Sequence, residues 1–331
     1  MLLKKAWSLT SDAVSLLRKH YPKTGYAGRS FMAYYQTDRS QKETLPDRSV
    51  VFVCDGKKRQ GGLGDRLKGL LTTYGLAKQH GRPFYIYWCE PFRLEEYLCP
   101  NKIDWRVDFR LLSFSKQRSF PVVLSHRGSK WRLCVETLIF RCWFYGKKEL
   151  HVYTNYVFSY DYPTLFKDLF CPSEIVDKQV DEIRKIGGGN YWSFSFRFMR
   201  LLGDFEDNRG ETLPEKERPA FMDKNIAELK SLLQQLPPGY KALVTSDSIT
   251  FLERAQKADE RIFIVPGRVV HPDHITSNET TEGMFLKSFV DFFLIMEAEK
   301  VFLLQTGAMY KSGFPELAAS LGKKEFIHHR F

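Results

Sequence analysis

The sequence predicts an α/β fold with two parallel-sheet domains that face a cleft, and three observations lead to this prediction. Apolar runs typical of buried strands alternate with amphipathic segments typical of helices from Val50 onwards. The alternation occurs twice, once before and once after the glycine run 187–189. The 331 residues, 43% of them hydrophobic, are enough for two packed cores. Because alternating strands and helices form parallel sheets covered on both faces, each domain is expected to be Rossmann-like.

The predicted domains are an N-terminal helical or extended segment over 1–48, a first Rossmann-like domain over 49–187 and a second over 188–331. The short segment 13–20 has the apolar spacing of an amphipathic helix and lies among basic residues. It is interpreted either as a peripheral membrane contact or, more simply, as a helix packed on the domain or a loose tail.

In the first domain, strands are predicted at 50–54, 83–88, 121–124 and 150–153, and helices at 67–79, 94–98 and 173–186. In the second domain, strands are predicted at 191–198, 241–245, 261–265, 301–304 and near Phe326, and helices at 214–236, 248–255, 282–297 and 309–321.

Composition limits the class of ligand that the protein is expected to bind and the cellular compartment in which it is expected to occur. The formal net charge of +11 favours an anionic ligand, and the scattered basic residues argue against a nucleic-acid partner. None of the six cysteines forms a C-x-x-C pair, so a zinc site is not predicted and all six are expected to be reduced thiols. No apolar run reaches the ~18 residues of a membrane span. We therefore expect a bacterial cytoplasmic protein, with possible contact at the inner membrane face through the basic N-terminus.

The most informative motif is the run 61–70, Gly-Gly-Leu-Gly-Asp-Arg-Leu-Lys-Gly-Leu, between the first predicted strand and helix. Glycines let backbone N–H groups approach an anion at a helix start, and Arg66 and Lys68 add positive charge there. The spacing is neither G-x-G-x-x-G nor a P-loop. The run therefore indicates a phosphate site of a third kind, or else only a tight turn.

Polar residues follow the predicted strands of the second domain, where open α/β sheets bind ligands. Arg197 ends the first of these strands, and the acidic run 204–207 follows it. The segments 245–248, 271–273 and 305–307 follow later strands. Hydroxyls and glycines at helix starts bind phosphate, and an arginine fork suits a diphosphate.

These motifs carry a resemblance to a known family. The glycine run is similar to the first motif of the GDP-fucose-dependent fucosyltransferase superfamily, which includes nodulation and core α1,6-, plant xyloglucan and protein O-fucosyltransferases. The segment 195–197 resembles the family's His-x-Arg motif, with Ser195 in place of the histidine, and 246–247 and 289–306 resemble later donor-binding motifs. The resemblance covers roughly residues 50–325 in short islands. It implies a GT-B fold, an inverting reaction and no metal or other cofactor.

The resemblance also implies roles for single residues. Arg197 would hold the β-phosphate of GDP, Asp291 the guanine edge and Asp247 the nucleoside. The other residues expected around the donor are Gly62, Gly64, Arg66, Ser195, Thr306 and Gly307. His271 is interpreted as a nucleotide contact or as a surface histidine without a ligand. Phe198 stands where the α1,6 branch has a second arginine, so the linkage does not carry over.

The reaction requires a base for the acceptor hydroxyl, and the acidic run supplies the nearest carboxylates. Glu206 is favoured and Asp204 comes second, while Asp207 is a third choice. The same run could instead be a metal-binding acidic cluster, as in GT-A enzymes, or partly a solvated loop. The sequence thus predicts an inverting glycosyltransferase that moves fucose from GDP-fucose to a glycan hydroxyl. The alternative is a non-catalytic nucleotide- or glycan-binding protein of the same fold.

Overall fold

The computed structural model describes residues 43–115, 117–124, 138, 141–207 and 210–331. By contacts, the described chain divides into two compact units. The first unit contains the described residues of 43–60, 66–89 and 104–160, and the second contains Gly61–Asp65, Glu90–Ile103 and Asp161–Phe331. The predicted 13–20 helix and its membrane contact lie outside the described residues. Within the described part, no helix is both long and apolar enough to cross a membrane.

The described strands are, in chain order, β1 Val50–Cys54, β2 Phe84–Trp88, β3 Leu98–Pro100, β4 Ser119–Leu124, β5 Glu149–Thr154, β6 Phe170–Pro172, β7 Tyr191–Phe196, β8 Lys241–Ser246, β9 Ile262–Phe263, β10 Lys300–Gln305 and β11 Glu325–Arg330. The described helices are α1 Leu63–Gln79, α2 Tyr162–Leu169, α3 Glu174–Gly187, α4 Arg218–Leu233, α5 Ile249–Ala258, α6 Leu286–Glu297 and α7 Phe314–Gly322. Single 3₁₀ turns occur at Leu94–Glu96, Phe109–Leu111, Glu215–Glu217 and Pro272–His274.

The first unit is built on a parallel sheet in the order β2-β1-β5-β4. Every residue of β1 is buried, as its continuous apolar sequence requires of a central strand. Helix α1 crosses from β1 to β2 and approaches the sheet closely at Gly69, where an added Cβ would lie 2.1 Å from the Thr154 carbonyl oxygen. Only glycine permits this approach of two backbones.

The second unit is built on a five-stranded parallel sheet in the order β11-β10-β7-β8-β9. Numbered in chain order within the unit, the strands are arranged 5-4-1-2-3, which is the doubly wound order. Successive strands are added on one side of β7 as far as β9 and then on its other side from β10, so the strand order reverses between β7 and β10. Stacked phenylalanines fill the core, for example Phe194 and Phe302 with ring centroids 4.9 Å apart. The predicted α/β class with two parallel sheets is confirmed by these two units.

The division by contacts differs from the predicted boundary between residues 187 and 188, because 161–187 belongs to the second unit. Helix α3 packs on α6, and Arg184 joins the two helices through both carboxylate oxygens of Glu297, at 2.9 and 2.7 Å. Residues 90–103 also join this unit, since the stacked pair Tyr97 and Phe289 has ring centroids 4.6 Å apart. Neither pairing is visible in local sequence.

Candidate functional site

Three polar residues lie directly after strands of the second sheet. Arg197 follows β7, Asp247 follows β8 and Thr306 follows β10. Because β7 and β10 are the neighbours at which the winding reverses, Arg197 and Thr306 lie at the topological switch point, where open α/β sheets bind their ligands. A backbone hydrogen bond connects the segments that follow these two strands, since the Tyr310 N–H donates to the Arg197 carbonyl at 3.1 Å.

The Arg197 side chain is held on three sides. Its Nη1 lies 3.2 Å from Asp247 Oδ2, and its Nη2 lies 3.8 Å from Asp207 Oδ2. The guanidinium carbon lies 4.4 Å from the centroid of the Phe205 ring, in cation–π contact. With 18% of the side chain exposed, Arg197 is a fixed positive charge that an anionic ligand can still reach.

Asp247 anchors this arrangement. Its side chain is 1% exposed, and its two oxygens accept from the backbone N–H groups of Phe198 at 2.9 Å and Met199 at 2.7 Å. Met199 has a φ of 53°, a conformation that costs a non-glycine residue free energy and that these hydrogen bonds support. Burial raises the pKa of Asp247, while Arg197 and the two N–H groups act in the opposite direction. Both oxygens are thus occupied by the protein itself.

Ser195 lies on β7, at the position where the motif that the sequence resembles has a histidine. Its hydroxyl lies 2.8 Å from the Thr245 hydroxyl, across the β7–β8 register. The side chain is buried, at 5% exposure. Ser195 therefore has a protein partner of its own.

The three carboxylates of the acidic run 204–207 have different surroundings. Asp204 Oδ2 accepts from the Ser248 hydroxyl at 2.7 Å and from the Thr250 N–H at 3.0 Å, so it caps the start of α5. Asp207 lies between Arg197 and His274, whose Nε2 is 3.7 Å from Asp207 Oδ1. Glu206 is exposed. A cavity of about 540 Å³ has Phe205, Glu206, Asp207, Arg200, Arg218 and His274 in its lining.

The glycine-rich segment 61–64 contacts the loop after β9. The Gly61 N–H donates to Asp273 Oδ2 at 3.1 Å, and a Cβ added to Gly62 would lie 3.6 Å from His271 Nε2. Gly61 has a φ of +83°, which favours glycine, and the helix begins two residues later, at Leu63. Gly64 lies in the first turn of α1, against Phe314. Gly62, which directly precedes α1, therefore lies beside His271.

His271 is a neutral imidazole in this setting. Burial lowers its pKa to about 4, and the positive charge of Arg197 contributes further. Its Nδ1 accepts the Asp273 N–H at 3.2 Å, which leaves the proton on Nε2. Its ring centroid lies 4.8 Å from that of His274.

Asp207, His271 and His274 could hold a metal ion, because one ligand atom from each lies within 4.8 Å of the other two. Two features oppose this. The Arg197 cation shares the Asp207 carboxylate, and coordination by His271 Nε2 would require removal of the proton that its Nδ1 hydrogen bond places there. The arrangement fits an anion beside Arg197 better than a cation.

Asp291 lies on α6 with 3% exposure and forms a buried ion pair with Lys287, Nζ to Oδ2 at 2.9 Å. Lys287 Nζ also donates to the Val265 carbonyl at 2.9 Å. Asp291 Oδ1 is buried and has no hydrogen-bond partner within the described chain. A buried acceptor without a donor is costly, and burial raises the pKa of Asp291 while the Lys287 ion pair acts in the opposite direction.

Thr306 and Gly307 precede α7 by several residues, because that helix begins at Phe314 and not at the predicted residue 309. The Thr306 hydroxyl accepts from Lys224 Nζ at 2.8 Å and donates to the Phe331 carbonyl at 2.6 Å. Lys224 is thus a cation at this strand end that sequence reasoning missed, since it lies in the middle of α4.

Arg66 belongs to the first unit, unlike the glycines before it. Its Nη1 donates to Cys54 Sγ at 3.0 Å, and its guanidinium lies 5.6 Å from the Trp88 ring centroid.

Like Lys224, His274 and Lys287 were not predicted as site residues from the sequence. Their spacing in the sequence could have revealed them, because His274 comes three residues after His271 and Lys287 comes four residues before Asp291.

Comparison with solved structures gives fold neighbours. The α-1,6-fucosyltransferase NodZ co-crystallised with GDP is 13% identical, with a TM-score of 0.53, over 83% of this chain and 92% of that one. NodZ soaked with GDP-fucose is 14% identical, with a TM-score of 0.53, over 83% and 93%. The fucosyltransferase NodZ from Bradyrhizobium is 13% identical, with a TM-score of 0.52, over 83% and 92%. No family model and no curated protein sequence matches the chain. The neighbours confirm the GT-B-like fold.

Proposed function

We propose that this protein is an inverting glycosyltransferase that transfers fucose from GDP-fucose to a glycan hydroxyl. The observation that carries the proposal is the position of Arg197. It is a partly exposed arginine at the switch point of the second sheet, oriented by Asp247 and Phe205. The fold neighbours named for GDP and GDP-fucose complexes are in keeping with this donor.

The donor chemistry matches the residues at this edge. When the bond to the diphosphate breaks, negative charge grows on the leaving group, and a preorganised cation stabilises it without metal. Arg197 supplies that cation, and the N–H groups at the start of α1, after Gly62, add a helix dipole. The Nε2–H of His271 provides a further donor on the same side.

Guanine recognition is assigned to Asp291. Its unpartnered Oδ1 would accept a base N–H, and the Lys287 ion pair opposes the rise in the pKa of Asp291 that burial causes. Thr306 and Gly307 complete the donor set at the end of β10, together with Lys224. Asp247 has a positioning role through Arg197 in place of the nucleoside contact that the resemblance implies.

The acceptor is assigned to the cavity beside the acidic run. Glu206 is exposed there and is the proposed base, which takes the proton of the attacking hydroxyl. Asp207 would orient Arg197 and His274, because it lies within 4 Å of both. Asp204 caps a helix through Oδ2, while its buried Oδ1 has no hydrogen-bond partner within the described residues.

A donor panel tests the function directly. Thermal shift is measured with GDP, GDP-fucose, GDP-mannose, UDP-glucose and CMP-sialate, each with EDTA present. GDP at 100 times its dissociation constant should raise the free energy of unfolding by about 2.7 kcal/mol. Stabilisation by UDP-glucose and not by GDP would contradict the guanine assignment. GDP binding with neither transfer nor donor hydrolysis, across an acceptor mixture, would support the alternative of a non-catalytic binding protein.

A further inference from the structure

Two cysteines face each other across a small antiparallel sheet in the second unit. Strands β3 and β6 pair with Cys99 opposite Cys171. On the other face of this ribbon, Leu98 and Phe170 are buried, at 1% and 4% exposure. Because side chains alternate along a strand, the two thiols lie together on the opposite face, and both cysteines are half-buried.

The register fits disulfide geometry. The Asn101 N–H donates to the Leu169 carbonyl, and the Ser173 N–H to the Tyr97 carbonyl, both at 3.0 Å. Alternation of pair types therefore makes Cys99 and Cys171 a hydrogen-bonded pair. Cα atoms of such a pair lie about 5.5 Å apart, which is near the commonest Cα separation in disulfides.

The Cys171 thiol is also close to the backbone of the opposite strand. Cys171 Sγ lies 3.6 Å from the carbonyl oxygens of Cys99 and Pro100. Burial raises the pKa of the Cys171 thiol, and the neighbouring Cys99 raises it further. Neither cysteine is part of a disulfide bond in the structure.

We propose that Cys99 and Cys171 are a redox modification site at which a reversible cross-strand disulfide forms. The co-reactant is a small-molecule disulfide such as oxidised glutathione. One cysteine thiolate attacks it, releases one reduced glutathione and forms a mixed disulfide. The second thiolate then attacks the protein sulfur and releases the other glutathione. The two protein thiols lose two protons and two electrons, and one glutathione disulfide becomes two thiols.

The bond would close a loop across 72 positions and join segment 90–103 to the strand that leads into α3. That segment also packs on α6 through the stack of Tyr97 on Phe289. Closing a long loop stabilises a protein chiefly by restricting its unfolded chain. Oxidation should therefore raise the melting temperature of the full chain by about 5 °C.

The test oxidises the full-length protein with oxidised glutathione, quenches with an alkylating reagent and digests without reduction. Mass spectrometry should find one intramolecular link, between the peptides that contain Cys99 and Cys171, and dithiothreitol should abolish it. The rate of linkage should rise with pH, because the thiolate is the attacking species. Non-reducing electrophoresis should show a faster monomer band.

Matched variants separate this pair from the other cysteines. Cys99→Ser and Cys171→Ser should each lose the link and the rise in melting temperature. Cys142→Ser, at an exposed cysteine, should keep both. Glutathione adducts on Cys99 or Cys171 without a link between them, or a link from either one to Cys89 or Cys142, would overturn the proposal.

Discussion

Asp247 Oδ2 and Arg197 Nη1 are 3.2 Å apart, and the carboxylate of this pair is almost fully buried while the guanidinium is partly exposed. Burying a carboxylate is costly unless hydrogen bonds and an opposite charge compensate it. Two backbone N–H groups and Arg197 supply that compensation. The pair therefore fixes the direction of a cation at the surface of the sheet edge, as a binding site for an anion requires.

Replacing Asp247 by Asn should weaken catalysis through Arg197. The amide keeps the side-chain volume but is uncharged and cannot form an ion pair with the guanidinium, and its NH₂ cannot accept a backbone N–H. We expect turnover to fall by about 100-fold, as small misplacements of catalytic groups do, together with a lower melting temperature. Steady-state kinetics with GDP-fucose, next to a thermal melt, measures both effects. Unchanged turnover in a folded variant would mean that Asp247 supports only the fold.

Replacing Arg197 by Ala tests the cation itself. Turnover should fall by about 10²- to 10³-fold, as when one preorganised charge-stabilising donor is lost, and GDP affinity should fall with it. Arg254→Ala is the matched control, because Arg254 forms an exposed ion pair with Asp223 on neighbouring helices. Near-normal turnover of the Arg197 variant, or an equal loss in the control, would contradict the assignment.

Much of the fold is predictable from local sequence. The apolar run of β1, the alternation through β7 to β11 and the Ser248 cap of α5 each follow from residue type, because burial and capping act locally. Helix starts were less predictable. Helix α7 begins at Phe314 and not at residue 309, because Gly307 turns the chain with a φ of +55° and Pro315 favours the first helical turn.

The candidate site was predictable only as far as strand ends reveal it. Arg197, Asp247 and Thr306 follow strands in the sequence, so the rule for open sheets locates them. Their partners are set by tertiary contacts. Lys224 reaches Thr306 across 82 positions, and Asp204 in the acidic run accepts a hydrogen bond from Ser248, 44 positions later in the chain. No local pattern encodes such pairings, which depend on how helices pack on the sheet.

The acidic run gives the prediction that separates an enzyme from a binding protein. Glu206→Gln should cut turnover by roughly 10²- to 10⁴-fold, because the amide cannot take the acceptor proton. GDP affinity should stay within about threefold, since Glu206 lies on the acceptor side in our proposal. Asp204→Ala should instead lower stability by about 1 kcal/mol through the lost helix cap, with turnover largely kept.

Asp207→Asn completes this series. It should cost less turnover than Glu206→Gln, because its effect would be exerted through Arg197 and His274. Fucose transfer, or donor hydrolysis where no acceptor is known, is measured for all three variants beside GDP binding by calorimetry. Full activity in all three would locate the base elsewhere.

Stability should decrease as the pH falls from about 6.5 to about 4, and His271 should contribute to this decrease. Its pKa in the folded protein is about 4, because burial and Arg197 disfavour the charged form. In the unfolded chain its pKa is about 6.5, so in this window the unfolded state binds a proton that the native state does not. Stability is then lost at up to about 1.4 kcal/mol per pH unit. Chemical denaturation at a series of pH values measures this slope.

Two variants isolate the histidine's share of that slope. His271→Gln removes the titrating group, so its stability should fall less steeply with acid over the same window. Gln234→Ala, at an exposed residue that does not titrate, should keep the wild-type slope. GDP bound beside Arg197 would favour the protonated imidazole, so GDP binding at about pH 5 should take up a proton, measured by calorimetry in buffers of different ionisation enthalpy. Identical slopes in wild type and His271→Gln would contradict the lowered pKa of His271, and no proton uptake with GDP would place the imidazole away from the phosphate.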